Sequence, residues 1–138
     1  MKLLRLVSVV LAVSLGACQS TGVEPAVDDF GAFMVFFASD SAELTDQSKA
    51  TIAEAADAIR RRKNRTVSVI GTTDGTGPAA YNIALGQKRA MAVKDELVRR
   101  GIDPASIKAW SKGANEPLVV SKAGAAEWQN RSVWIVGE

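Results

Sequence analysis

Between Thr66 and Arg100 the hydrophobic period of the chain switches once, and that switch limits the fold more than any other feature. Thr66-Val67-Ser68-Val69-Ile70 alternates and is rich in β-branched residues, which suits a strand with a buried face. Gly71-Thr72-Thr73-Asp74-Gly75-Thr76-Gly77-Pro78 is dense in turn formers and predicts a loop. From about Ala79 to Arg100, Gly86, Ala90, Val93 and Leu97 then share one stripe of a helix, with Gly101 as its stop. A strand running straight into a long one-sided helix needs a sheet for the helix to cover.

The flanking sequence supplies that sheet. Phe33-Met34-Val35-Phe36-Phe37 is an unbroken apolar run ending at Ser39-Asp40-Ser41, and predicts a buried strand. Thr45 offers an N-cap, Asp46 complements the helix dipole, and Ile52, Ala55, Ala56 and Ile59 recur at helical spacing through Arg62. Asp103-Pro104 turns the chain, Ile107 to Ser111 reads as a third strand, and Gly113 to Pro117 as loop. Ser132 to Val136 forms the last strand. The order β-α-β-α-β-β over residues 32–138 describes one α/β (α+β) domain, a two-layer sandwich.

The first 31 residues do not belong to it. Lys2 and Arg5 precede an apolar run, Leu6 to Leu15, about half the ~20 residues that span a bilayer as a helix. A short apolar run behind a basic start predicts a signal peptide over residues 1–17. It ends in Leu15-Gly16-Ala17-Cys18, which looks like a bacterial lipobox, so Cys18 is the expected lipidation site. Acyl chains at about 0.8 kcal/mol per buried methylene would anchor the chain firmly. The lipobox likeness, with Gln19 rather than Asp after the cysteine, implies sorting to the outer membrane. Residues 18–31 then form a polar tether that reaches at most roughly 45 Å.

Composition removes several functions. The 138 residues include no histidine, which excludes a Ser-His-Asp triad and any His-containing zinc site. One cysteine cannot build a disulfide or a Cys-rich metal site within the chain, so no metal and no cofactor is expected. Without Lys2 and Arg5 the 17 Lys+Arg become 15, equal to the 15 Asp+Glu, which leaves no electrostatic footprint for nucleic acid. No Ser-x-x-Lys set has companions that would activate a nucleophile, so the expectation is a binding module and not an enzyme.

Two uses of the Gly71–Pro78 loop can be weighed. Gly75, Gly77 and Ala80 match a dinucleotide-binding pattern in letters, but Asp74 would set a carboxylate against the phosphates. The alternative is a site for a zwitterion. Asn82 and Arg89 share a helical face, and a loop folded over it would add Asp74 and Thr76. The carboxylate would take an ammonium, and the planar guanidinium would grip a carboxylate at two points. A plain Asp74–Arg89 salt bridge holding loop to helix is the reading that spacing alone favours. Arg131 is expected to brace the sheet, the Arg60–Arg65 run to serve the helix dipole, and Trp110, Trp128 and Trp134 to pack in the core or at its rim.

Phe36-Phe37, Ser41 to Leu44, Gly71 to Asp74, Tyr81 to Leu85, Lys88-Arg89-Ala90, Gly101-Ile102 and Asn130 to Val133 together resemble the OmpA-like peptidoglycan-binding domain family. With the lipobox, the chain is similar to the peptidoglycan-associated lipoprotein group. The resemblance implies a mixed sheet and non-covalent binding of peptidoglycan through the diaminopimelate of its stem peptide. It assigns Asp74 to the diaminopimelate ammonium, Arg89 to its carboxylate, and supporting places to Asn82, Thr76 and Asp40. On that basis Asp74→Asn or Arg89→Ala should abolish wall binding and leave the unfolding midpoint nearly unchanged. Ala38 and Thr72 stand where the family usually has aspartate and histidine, and Ser132 and Trp134 where arginine and glutamate are common. A weakened site, in a protein-interaction subunit of an envelope complex, is therefore the alternative.

Overall fold

Residues 30–62 and 66–138 are described by a computed structural model. The expected signal peptide, Cys18, most of the tether and residues 63–65 of the basic run lie outside the described residues. The elements follow the expected order: β1 (Phe33–Phe36), α1 (Asp46–Arg61), β2 (Val67–Thr72), α2 (Ala79–Arg99), β3 (Ile107–Gly113) and β4 (Ser132–Gly137). Two short 3₁₀ turns, Pro104–Ser106 and Trp128–Asn130, precede β3 and β4.

The strands form one mixed sheet in the order β1-β4-β2-β3. Strand β4 is antiparallel to both of its neighbours, and β2 and β3 run parallel across the helical crossover. Period-two alternation sends Val35, Val67, Val69, Ile107, Val133 and Ile135 to the face covered by the helices, where all are buried. Ile52, Ala55, Ala56 and Ile59 from α1, with Ala90, Val93 and Leu97 from α2, close the core.

Both helix ends are set by local chemistry. Thr45 Oγ1 accepts from the Ser48 amide at 3.1 Å, the N-cap expected from the sequence. Helix α2 ends in a Schellman motif: the Gly101 amide donates to the Val98 carbonyl and the Ile102 amide to that of Leu97. Gly101 has φ +90°, where a Cβ would be strained.

Strand β2 runs two residues beyond the expected Ile70, into Gly71 and Thr72, and β3 two beyond Ser111. The cause is close packing. A Cβ on Gly71 would stand 2.0 Å from the backbone oxygen of Gly86, so helix and strand touch backbone to backbone. Gly71 thus works as a strand residue that admits α2, not as a turn former. That contact carries the end of β2, and the loop after it, beneath the middle of the helix.

Candidate functional site

Arg89 is fully buried, at 0% exposure, and its guanidinium lies over the Phe37 ring, 5.3 Å from the centroid. Its Nε donates to the Ser41 carbonyl at 2.7 Å, Nη2 to that of Ala38 at 2.9 Å, and Nη1 to that of Thr72 at 3.3 Å. One side chain from α2 thereby fixes the β1–α1 loop against the end of β2. Burial pulls the guanidinium below its ordinary pKa, and the negative field of Asp74 opposes that pull.

Asp74 follows β2 and is also buried, at 4% exposure. Its Oδ1 accepts from the Thr76 hydroxyl at 2.5 Å and the Thr76 amide at 3.3 Å, and Oδ2 from Arg131 Nη1 at 3.2 Å. Burial disfavours the charged carboxylate, but the Thr76 hydroxyl and Arg131 outweigh it and hold the pKa below the ordinary value. Arg131 also donates through Nε to the Phe37 carbonyl at 3.2 Å. Next to Asp74, the buried Thr73 hydroxyl has no hydrogen-bond partner among the described residues.

These contacts correct two expectations. Asp74 is not a free anion facing Arg89, because Arg131 and Thr76 already satisfy it. Nor is Arg89 a cation idle until a ligand arrives, because three carbonyls engage it, so Arg89→Ala cannot leave stability untouched. Arg131 braces the sheet, as expected, and in addition pairs with Asp74. The pairing follows from the strand order, since Arg131 immediately precedes β4, which lies beside β2.

The other expected residues gather around the pair. Asn82 is buried and donates from Nδ2 to the Gly77 carbonyl at 3.5 Å, steadying the far end of the loop. Asp40, at φ +51°, is exposed and accepts from the Tyr81 hydroxyl at 3.0 Å. A cleft of about 150 Å³ lies between Asp40 and Ala42 on one side and Tyr81, Ala84, Leu85 and Lys88 on the other. Arg89 shapes its wall, since it holds the carbonyls of Ala38 and Ser41 on either side of Asp40. Arg89 feels the positive field of Arg131 and the negative fields of Asp74 and Asp40, and no carboxylate is in direct contact with it among the described residues.

Thr72 lies elsewhere. Its hydroxyl sits 2.9 Å from that of Ser132 and 3.0 Å from the Asn130 carbonyl, and Trp134 Nε1 donates to Ser132 Oγ at 3.0 Å. Three of the departures noted in the sequence therefore form one cluster, and only the Thr72 carbonyl reaches Arg89.

Comparison with known proteins identifies the family and the fold. The sequence matches the OmpA family over residues 36–131. It is 33% identical over 97 residues to the peptidoglycan-associated lipoprotein of Mesorhizobium japonicum, covering 70% of this chain and 58% of that protein. Outer membrane protein A of Bordetella avium is 34% identical over 100 residues, covering 72% of this chain and 52% of that protein. The chain thus spans little more than half the length of these relatives. Among solved structures, the peptidoglycan-associated lipoprotein from Burkholderia pseudomallei superposes with a TM-score of 0.70 at 34% identity, over 76% of this chain and 89% of that one.

Proposed function

The chain belongs to the OmpA family, and from that premise we propose that it binds peptidoglycan without covalent linkage and ties the cell envelope to its wall. The ligand is the free end of diaminopimelate in the stem peptide, a zwitterion on a short arm. Its carboxylate meets the field of Arg89 and Lys88, and its ammonium meets Asp40 at the mouth and reaches Asp74 by displacing the hydrogen bond from Arg131. Thr76 and Asn82 hold the loop that bounds the site. The module carries out no chemistry on what it holds.

One observation carries the proposal: a wholly buried guanidinium holds the Ala38 and Ser41 carbonyls on either side of Asp40, which lines a cleft together with Lys88. A buried charge without a counter-ion in contact is costly, and an arriving carboxylate relieves part of that cost. Anchoring at the other end falls to Cys18, as the attachment point of a lipid in the outer membrane, with the tether keeping the domain close by in the periplasm. Names of the relatives, peptidoglycan-associated lipoprotein among them, support the assignment to the envelope.

The engagement of Asp74 by Arg131 favours a second function, a protein-interaction subunit of an envelope complex whose wall site is weakened. Co-sedimentation with purified sacculi separates the two. The wild-type chain should pellet, and Asp74→Asn and Arg89→Lys should remain in solution. Wild type left in the supernatant, or full retention of both variants, would reject the proposed site.

A further inference from the structure

The sheet face turned away from the helices is apolar along one complete cross-strand row. Met34 on β1 pairs with Trp134 on β4, Trp134 with Ile70 on β2, and Ile70 with Trp110 on β3. Met34 and Trp110 are 38% and 37% exposed. Trp128, 56% exposed, packs against Phe36 beside the row, with ring centroids 5.3 Å apart. Core or rim packing, the sequence expectation for these tryptophans, does not account for so much exposed indole.

The surroundings restrict what can lie there. Strands about 4.8 Å apart and six residues long give a face of roughly 300–400 Å², well below the ~800 Å² per partner of a stable protein interface. Lys108 pairs with Glu138 and Lys112 with Glu116, so the rim is neutralised and offers no field to an anionic lipid or nucleic acid. A long, uncharged, hydroxyl-bearing ligand with flat C–H faces suits such a surface: indole rings stack on the C–H faces, and the paired side chains meet the hydroxyls. A cleft of about 150 Å³ between Ile70, Thr72, Trp134, Lys112, Glu116 and Pro117 could receive a protruding substituent such as an acetamido group.

We propose that this face binds the β-1,4-linked amino-sugar strand of the polymer whose stem peptide the Arg89 cleft holds. The identity of that polymer rests on the proposed function. Thr72 joins the two surfaces, since its side chain lines the sheet-face cleft and its carbonyl accepts from Arg89. Ile70 stands four residues before Asp74, at most about 13 Å along the strand, and a stem of three or more residues spans at least on the order of 10 Å. That length lets a stem peptide reach from the Ile70 row to the loop that follows β2.

The test keeps sugar and peptide apart. The full chain is titrated with tetra-N-acetylchitotetraose, an uncharged β-1,4-linked amino-sugar strand without peptide, and separately with a free diaminopimelate tripeptide. Saturable sugar binding that shifts the tryptophan indole N–H resonances is expected. Trp110→Ala and the surface variant Trp128→Ala should each weaken it about tenfold and change tripeptide affinity less than about twofold. Tripeptide binding without sugar binding would overturn this inference and leave the proposed function standing; sugar binding without tripeptide binding would do the reverse. A concentration-dependent dimer that Trp110→Ala abolishes, with no sugar bound, would overturn it in favour of a second copy of the chain.

Discussion

Replacing Arg89 by alanine removes the hydrogen bonds that fasten the β1–α1 loop to α2 and to the end of β2. The contacts at 2.7 and 2.9 Å are charge-assisted, each worth about 1.5–3 kcal/mol net, and the third, at 3.3 Å, is weaker. Against their loss stands the relief of no longer burying a charge, so the net destabilisation should be about 3 kcal/mol. For a domain near 100 residues that lowers the melting temperature by roughly 10–20 °C. Arg89→Lys keeps a charge but not the planar fork, and should fall between alanine and wild type. Urea unfolding of the three proteins measures the differences directly. An Arg89→Ala midpoint within the equivalent of about 0.5 kcal/mol of wild type would show that the three carbonyls do not depend on this side chain, and that it is free for a ligand after all.

Asp74 gives a pH signature. Its folded pKa lies below the ordinary value of 3.8, so its contribution to stability is complete above that value and declines as pH falls through the folded pKa. Asp74→Asn should therefore be less stable than wild type at neutral pH, with the gap narrowing on acidification below about pH 4, as chemical denaturation at several pH values would reveal. A gap independent of pH would mean that the pairing with Arg131 adds nothing in solution. Gly71→Ala should cost more than 3 kcal/mol by order of magnitude, because the new methyl meets helix backbone that cannot rotate aside. A soluble Gly71→Ala protein of near wild-type stability would show that α2 can lift from β2.

The element order was legible because β2 and both helices had a clear period and the apolar run of β1 was short and bounded by polar residues. The alternation of Val67 and Val69, the helical stripe through Ala90, Val93 and Leu97, and the capping threonine each depend on neighbours within one turn or one strand. Strand order is a different matter. Placing β4 between β1 and β2 brings Arg131 to Asp74, and no local pattern encodes that meeting. Gly71 misled for a related reason: a glycine that admits a helix backbone looks the same in sequence as one that makes a turn. The residues assigned to the site do gather at one end of the sheet, yet the partners of Arg89 are backbone carbonyls of Ala38, Ser41 and Thr72, which side-chain chemistry cannot announce. The tryptophan row was hidden in the same way, since it exists only once four strands are in register.

Titration of isotope-labelled chain with a diaminopimelate tripeptide addresses the proposed binding site most directly. Saturable binding should shift the Thr76 amide and the Arg89 Nε–H signal together, and Asp74→Asn should suppress it without unfolding the domain. Shifts confined to other surfaces, or a tripeptide that binds Asp74→Asn as tightly as wild type, would contradict the assignment.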